Sequence, residues 1–170
     1  MIEVRWEYIH DLNFDDAGNI ARQNTEVSIS DVGWAIFSFL IEPKEVSEVL
    51  AAKFHFQVTS AAASQLLNIG KLSYHGVWDC WTHGWNTSRF VVSEEPFGLY
   101  VEDSDALQST GDKVVDLGHV AAADVASLLA DDRANFFGVF MKGETADVAS
   151  VASIANSDNN ARPYLEIVAV

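Results

Sequence analysis

The sequence predicts an all-β protein: a two-sheet antiparallel β-sandwich of jelly-roll type with one short helix, formed by residues 1–170 as a single domain. Three observations predict it. Segments of strand length rich in Val, Phe, Trp and Tyr recur along the chain, punctuated by ten glycines and three prolines. Several of them alternate apolar and polar residues, the period of a strand with one buried face. One stretch carries apolar residues at a convincing helical spacing, too little for the crossover helices of a parallel sheet. A chain of 170 residues buries roughly two-thirds of its unfolded surface in one core, so no disulfide or metal staple is needed.

The elements follow in order. IEVRWEYI (2–9) sets Ile2, Val4, Trp6 and Tyr8 on one side and Glu3, Arg5 and Glu7 on the other, and DDAGN (15–19) is a turn. TEVSIS (25–30) alternates again. WAIFSFLI (34–41) is apolar enough to be a central strand buried on both faces, ended by Glu42-Pro43. KEVSEVLA (44–51) is marginal for a helix and reads as a connection. AKFHFQV (52–58) turns Phe54, Phe56 and Val58 one way and Lys53, His55 and Gln57 the other.

KLSYHGV (71–77), RFVV (89–92), FGLYVE (97–102) and KVVDLG (113–118) are further short strands. ADVASLLADD (123–132) is the helix, with Val125, Leu128 and Leu129 on one face and Asp124 near the start, where its charge suits the dipole. FFGVFMK (136–142) is a buried strand, VASVASIAN (148–156) fits either strand or helix, and RPYLEIVAV (162–170) is the last strand.

Charge narrows the function classes. With 25 acidic against 10 basic residues the formal net charge is −15, which repels phosphates and anionic headgroups, and the basic residues are scattered singly. The expectation is no nucleic-acid partner and no membrane insertion. The longest apolar run, VGWAIFSFLI at 32–41, is about half the roughly 20 residues of a spanning helix. MIEVRWEYIHDLNFDD has no basic region followed by an apolar one, so no secretory signal is expected in this chain. Cys80 is the single cysteine and can form no internal disulfide.

Residues 74–90, YHGVWDCWTHGWNTSRF, hold three of five tryptophans. A strand would align Trp81, His83 and Trp85, and helical spacing would align Trp78, Trp81 and Trp85. Exposed, such rings stack on sugars; buried, they fill a core. Trp78, Trp81, His83 and Trp85 are therefore the candidate ligand-binding residues. His75, Cys80 and His83 match no zinc framework, because a closed site needs a fourth ligand and their spacing is not a standard one.

DLNFDDAGNIAR (11–22) places Asp11, Asn13 and Asp15 at the first, third and fifth positions of a calcium loop, but Asp16 stands where Gly is needed and Arg22 where the bidentate Glu belongs. Asp11, Asn13 and Asp15 stay candidates for a looser calcium site, as do Asp103 with Asp105 and Asp158 with Asn159; no other cofactor is expected. No nucleophile elbow, phosphate loop or zinc-protease motif occurs, and paired acids such as Glu94-Glu95 read as solvated charge. The chain is expected not to be an enzyme.

The order of segments resembles the DNRLRE-type β-sandwich modules of bacterial surface proteins, which are related to carbohydrate-binding jelly rolls. WAIFSFLIEPKEVSEVLAAKFHFQV has the family's strand, loop and strand layout, and VWDCWTHGWNTSRF stands where the family has its Trp-Asp-Glu segment and "TWNN". VVDLGHVAAADVASLLADDRANFFGVFMK and ARPYLEIV (161–168) complete the likeness over about residues 25–170. The chain departs at Cys80, where the family has an acid, and at Thr87, Ser88 and Arg89, where no proline follows Asn86. The resemblance implies a sandwich fold and a binding or adhesive role.

Two functions are thus expected. The first is a non-catalytic surface protein with a structural or adhesive role, a bacteriophage capsid decoration or fibre protein on the virion surface. Its partners would be capsid or like subunits, in a homo-oligomer. The alternative is an extracellular carbohydrate-binding module whose partner is a polysaccharide.

Overall fold

The computed structural model describes residues 1–4, 9–14, 20–21, 25–72 and 98–170. It is an all-β sandwich of two antiparallel sheets with one α-helix among the described residues. The first sheet contains β1 (Ile2–Val4), β4 (Glu26–Ile29), β6 (Val49–Ser60), β9 (Gly111–Asp116), β11 (Ala149–Ala152) and β12 (Tyr164–Ala169). The second runs in the order β3 (Ile20–Ala21), β2 (Ile9–Phe14), β5 (Trp34–Ile41), β10 (Asn135–Gly143), β7 (Leu67–Leu72), β8 (Leu99–Ser104).

Strand β6 organises the first sheet. β12 pairs with its residues from Val49 to His55, and β11 with Val58 and Ser60. β9 pairs with Lys53 to Val58. Since Phe54 and His55 are bonded to both β12 and β9, and Val58 to both β11 and β9, β12 and β11 lie end to end along one edge of β6 and β9 lies along the other. Residues 153–163 leave the sheet between them and fold on themselves by turn chemistry. Asn156 Oδ1 accepts from Asp158 N at 2.9 Å, Asp158 Oδ1 from Asn160 N at 2.9 Å, and Asn156 O from Arg162 Nε at 2.7 Å.

The core lies between the sheets. β6 alternates as its sequence predicts, with Phe54, Phe56 and Val58 buried and Lys53, His55 and Gln57 half-buried on the opposite face. Phe54 packs against Phe37 and Phe39 of β5, with ring centroids 5.3 and 5.7 Å apart, and so joins the two layers. Such tilted and edge-on pairs stabilise by about 0.5–1.5 kcal/mol beyond area burial. β5 is buried from Ala35 through Phe39, as expected of a central strand with two covered faces. Ile36 and Ser38, which alternate away from the core, are each only 1% exposed.

Several boundaries differ from the sequence expectation. The helix, α1 (Gly118–Leu129), begins five residues earlier than predicted, at Gly118, whose φ is 79°. The alanine-rich run is a strong helix former, and Ala121 and Val125 bury their small faces in the core. Asp124 therefore stands mid-helix and not at the dipole's positive end. β7 starts at Leu67, four residues before the predicted strand, and β6 starts at Val49. VASVASIAN resolves as the strand β11 followed by a turn. The predicted strand RFVV, the turn DDAGN, and Trp6 and Tyr8 lie outside the described residues.

Candidate binding cleft

A rigid corner forms where the turn before β5 meets the loop after β10. Ser30 closes the turn: its Oγ accepts from Gly33 N at 2.8 Å, and its N–H donates to Gly33 O at 2.6 Å. The turn is bonded to the loop by Asp31 N to Thr145 O (2.9 Å) and by Gly143 N to Ser30 O (3.1 Å). Beneath them sits Gln65, a fully buried amide. Its Oε1 accepts from Glu144 N at 2.8 Å and Thr145 N at 2.9 Å, and its Nε2 donates to Thr145 O at 2.9 Å and Asp147 O at 2.5 Å. Gly143 is required there, because a Cβ would come within 2.5 Å of the Gln65 amide carbon.

This corner borders a cleft of 520 Å³ on the flank of the second sheet, lined by Asp31, Asn68, Leu99, Phe140, Lys142 and Glu144. The apolar floor is Phe140, whose ring occupies the place of the missing side chain of Gly70: a Cβ there would lie 2.0 Å from it. Trp34 meets Phe140 edge-on at 6.4 Å. Around this floor stand planar polar groups. Asn68 Nδ2 donates to Glu144 Oε1 at 2.9 Å, and Asn68 Oδ1 accepts from Asp103 N at 3.0 Å. That bond accompanies a left-handed backbone at Asp103, φ 53°. A hydrogen bond between the Asp103 and Glu144 carboxyls, reinforced by the charge of Glu144, raises the pKa of Asp103. Asp31 Oδ1 is buried and has no hydrogen-bond partner among the described residues.

Carboxylate and amide groups at fixed angles around an apolar patch suit a ligand with paired hydroxyl donors and C–H faces. Loop residues held by a buried amide keep those angles without the ligand, which lowers the ordering cost of binding.

The predicted ligand residues Trp78, Trp81, His83 and Trp85, with His75 and Cys80, lie outside the described residues. Of the calcium candidates, Asp11 and Asn13 stand in strand β2, in register with Phe37 and Ala35, and Asp15 lies outside the described residues. Asp105 opens a short 3-10 turn capped by Ser104, and Asp158 bonds the backbone of Asn160, which is turn chemistry. Among the described residues no group of three or more His, Cys, Asp and Glu is placed to hold a metal ion. No helix of the described residues is long and apolar enough to cross a membrane.

Two other polar clusters were not foreseen. On the outer face of the first sheet His55 Nε2 lies 2.9 Å from Glu166 Oε2, Lys53 Nζ lies 3.5 Å from Glu166 Oε1, and the His55 ring stacks on Tyr164 at 4.2 Å. At α1, Asp124 accepts from Lys71 Nζ at 2.8 Å and from Tyr100 Oη at 2.7 Å. Strand register makes the first and the packing of α1 on the second sheet makes the other, and no local pattern announces either.

No family model matches the chain, and no curated protein matches it.

Proposed function

We propose that the protein is a non-catalytic surface β-sandwich with an adhesive role, holding a polysaccharide in the cleft between the 30–33 turn and the 143–147 loop. The observation that carries this reading is the set of Asp31, Asn68 and Glu144 around the Phe140 floor, with Asn68 and Glu144 held by their mutual hydrogen bond. Of the two functions expected from the sequence, it keeps the adhesive role of the first and the polysaccharide partner of the alternative. Asp31 supports it further, because it lines the cleft and its carboxylate can accept from a ligand hydroxyl.

Titration of a polysaccharide panel by calorimetry tests the reading. Asp31→Ala and Asn68→Ala should each weaken binding about tenfold, the loss of one hydrogen bond to a charged or well-fixed group. Their circular-dichroism spectra should match the parent. Loss of binding in Trp81→Ala and Trp85→Ala, with full binding in the cleft variants, would instead favour the aromatic segment named from the sequence. A silent panel would remove the glycan reading altogether.

A further inference from the structure

A second depression lies at the other end of strand β5 from the cleft. It measures 930 Å³ and runs between residues 43–49 and the last turn of α1. A hollow of 200 Å³ adjoins it over β1, and the two share Pro43, Lys44 and Leu129. The walls are held by backbone bonds from Lys44 N to Leu129 O (3.0 Å), Glu48 N to Val170 O (3.2 Å) and Val170 N to Glu48 O (3.0 Å). The floor is aliphatic: half-buried Val46 and Val49 reach the surface above Leu129 and Ile167, which are themselves buried.

The rim is acidic. Glu3, Glu42, Glu45, Glu48 and Asp131 line the two hollows against the ammonium of Lys44, the one basic side chain among the described lining residues. Glu42, Glu45 and Glu48 are all exposed. The backbone adds charge of the same sign, because α1 ends there with no basic residue in its last turn to offset the partial negative charge of its carbonyls.

We propose that this depression docks a basic segment of a partner protein, one that alternates Lys or Arg with aliphatic side chains. Charge complementarity selects the cations and the aliphatic floor selects their neighbours. A second copy of the chain is a poor occupant, since its 25 acidic against 10 basic residues give it a net charge that repels the rim. The eight residues of β5 separate this site from the cleft by roughly 26 Å at 3.3 Å per residue. The protein would then tie a basic scaffold at one end to a ligand at the other, although the docking site stands whether or not the cleft binds glycan.

Fluorescence anisotropy with a labelled Lys-Leu alternating peptide tests the proposal. The peptide should bind, and binding should weaken about tenfold or more when salt rises from about 20 to about 300 mM, as screening of exposed charges requires. The triple variant Glu42→Lys, Glu45→Lys, Glu48→Lys should lose at least about tenfold in affinity while keeping the parent circular-dichroism spectrum. Glu45→Gln should show a smaller loss in the same direction. An equal reversal elsewhere, Glu26→Lys, Asp105→Lys, Asp112→Lys, should change binding less than about twofold. Equal losses from both triple variants would reduce the effect to the general negative field and overturn the site. Equal binding of a Lys-Gly peptide, or no binding at low salt, would overturn it as well.

Discussion

Gln65 shows how one uncharged side chain can fix a loop. Its amide satisfies two backbone N–H groups and two carbonyls, and a leucine of similar size would leave all four without that partner. Gln65→Leu should cost about 2–3 kcal/mol, water replacing part of what is lost. Thermal unfolding should therefore move down by roughly 4–12 °C. Gly70 makes the complementary case, where an absent side chain is the requirement. Gly70→Ala drives a methyl into the Phe140 ring and should destabilise by about 1–3 kcal/mol. Adding Phe140→Leu opens that space, so the double variant should be less destabilised than the two single losses summed, a coupling that denaturant titration measures.

At the scale of elements, α1 is clamped to the second sheet by Asp124, which binds Lys71 of β7 and Tyr100 of β8. Burial, then the hydrogen bond and charge of Asp124, hold the Tyr100 phenol far above its ordinary pKa. In the unfolded chain this phenol ionises near pH 10, whereas in the native protein it stays protonated well beyond that. Its contribution is thus complete below about pH 10 and is lost as the pH climbs above it. Alkaline unfolding should be steeper in the parent than in Tyr100→Phe, with denaturant midpoints compared across pH 9 to 12. Equal slopes would mean that the clamp does not couple to folding.

Over the whole molecule, what was legible followed from periodicity. The two-sided burial of β5 and the alternation of β6 are written residue by residue in WAIFSFLI and AKFHFQV, because burial in a sheet repeats every two positions. Val125 and Leu129 mark the helix in the sequence, but its first turns are silent there, since alanines such as Ala121 and Ala122 carry no apolar signal strong enough to mark a buried face. The cleft was not legible. Asp31, Asn68 and Glu144 are single polar residues in or beside turns, where polar residues are ordinary, and only the Gln65 network and the β7–β10 register bring them together. The acidic groove was half legible: EPKEVSEV reads as a charged connection, but nothing in it says that α1 ends beside it.

The end-to-end seating of β12 and β11 on β6 has a consequence for how the protein is made. On a ribosome β6 emerges long before either of its neighbours on that edge, and the residues that meet across it, such as His55 and Glu166, are separated by 111 positions. Until the final segment arrives, a twelve-residue strand with Phe54, Phe56 and Val58 along one face keeps a bare edge, the kind of template on which chains stick to one another. A polypeptide cut short before Ala149 should therefore collect in inclusion bodies, and supplying residues 149–170 as a separate peptide during refolding should bring part of it back into solution.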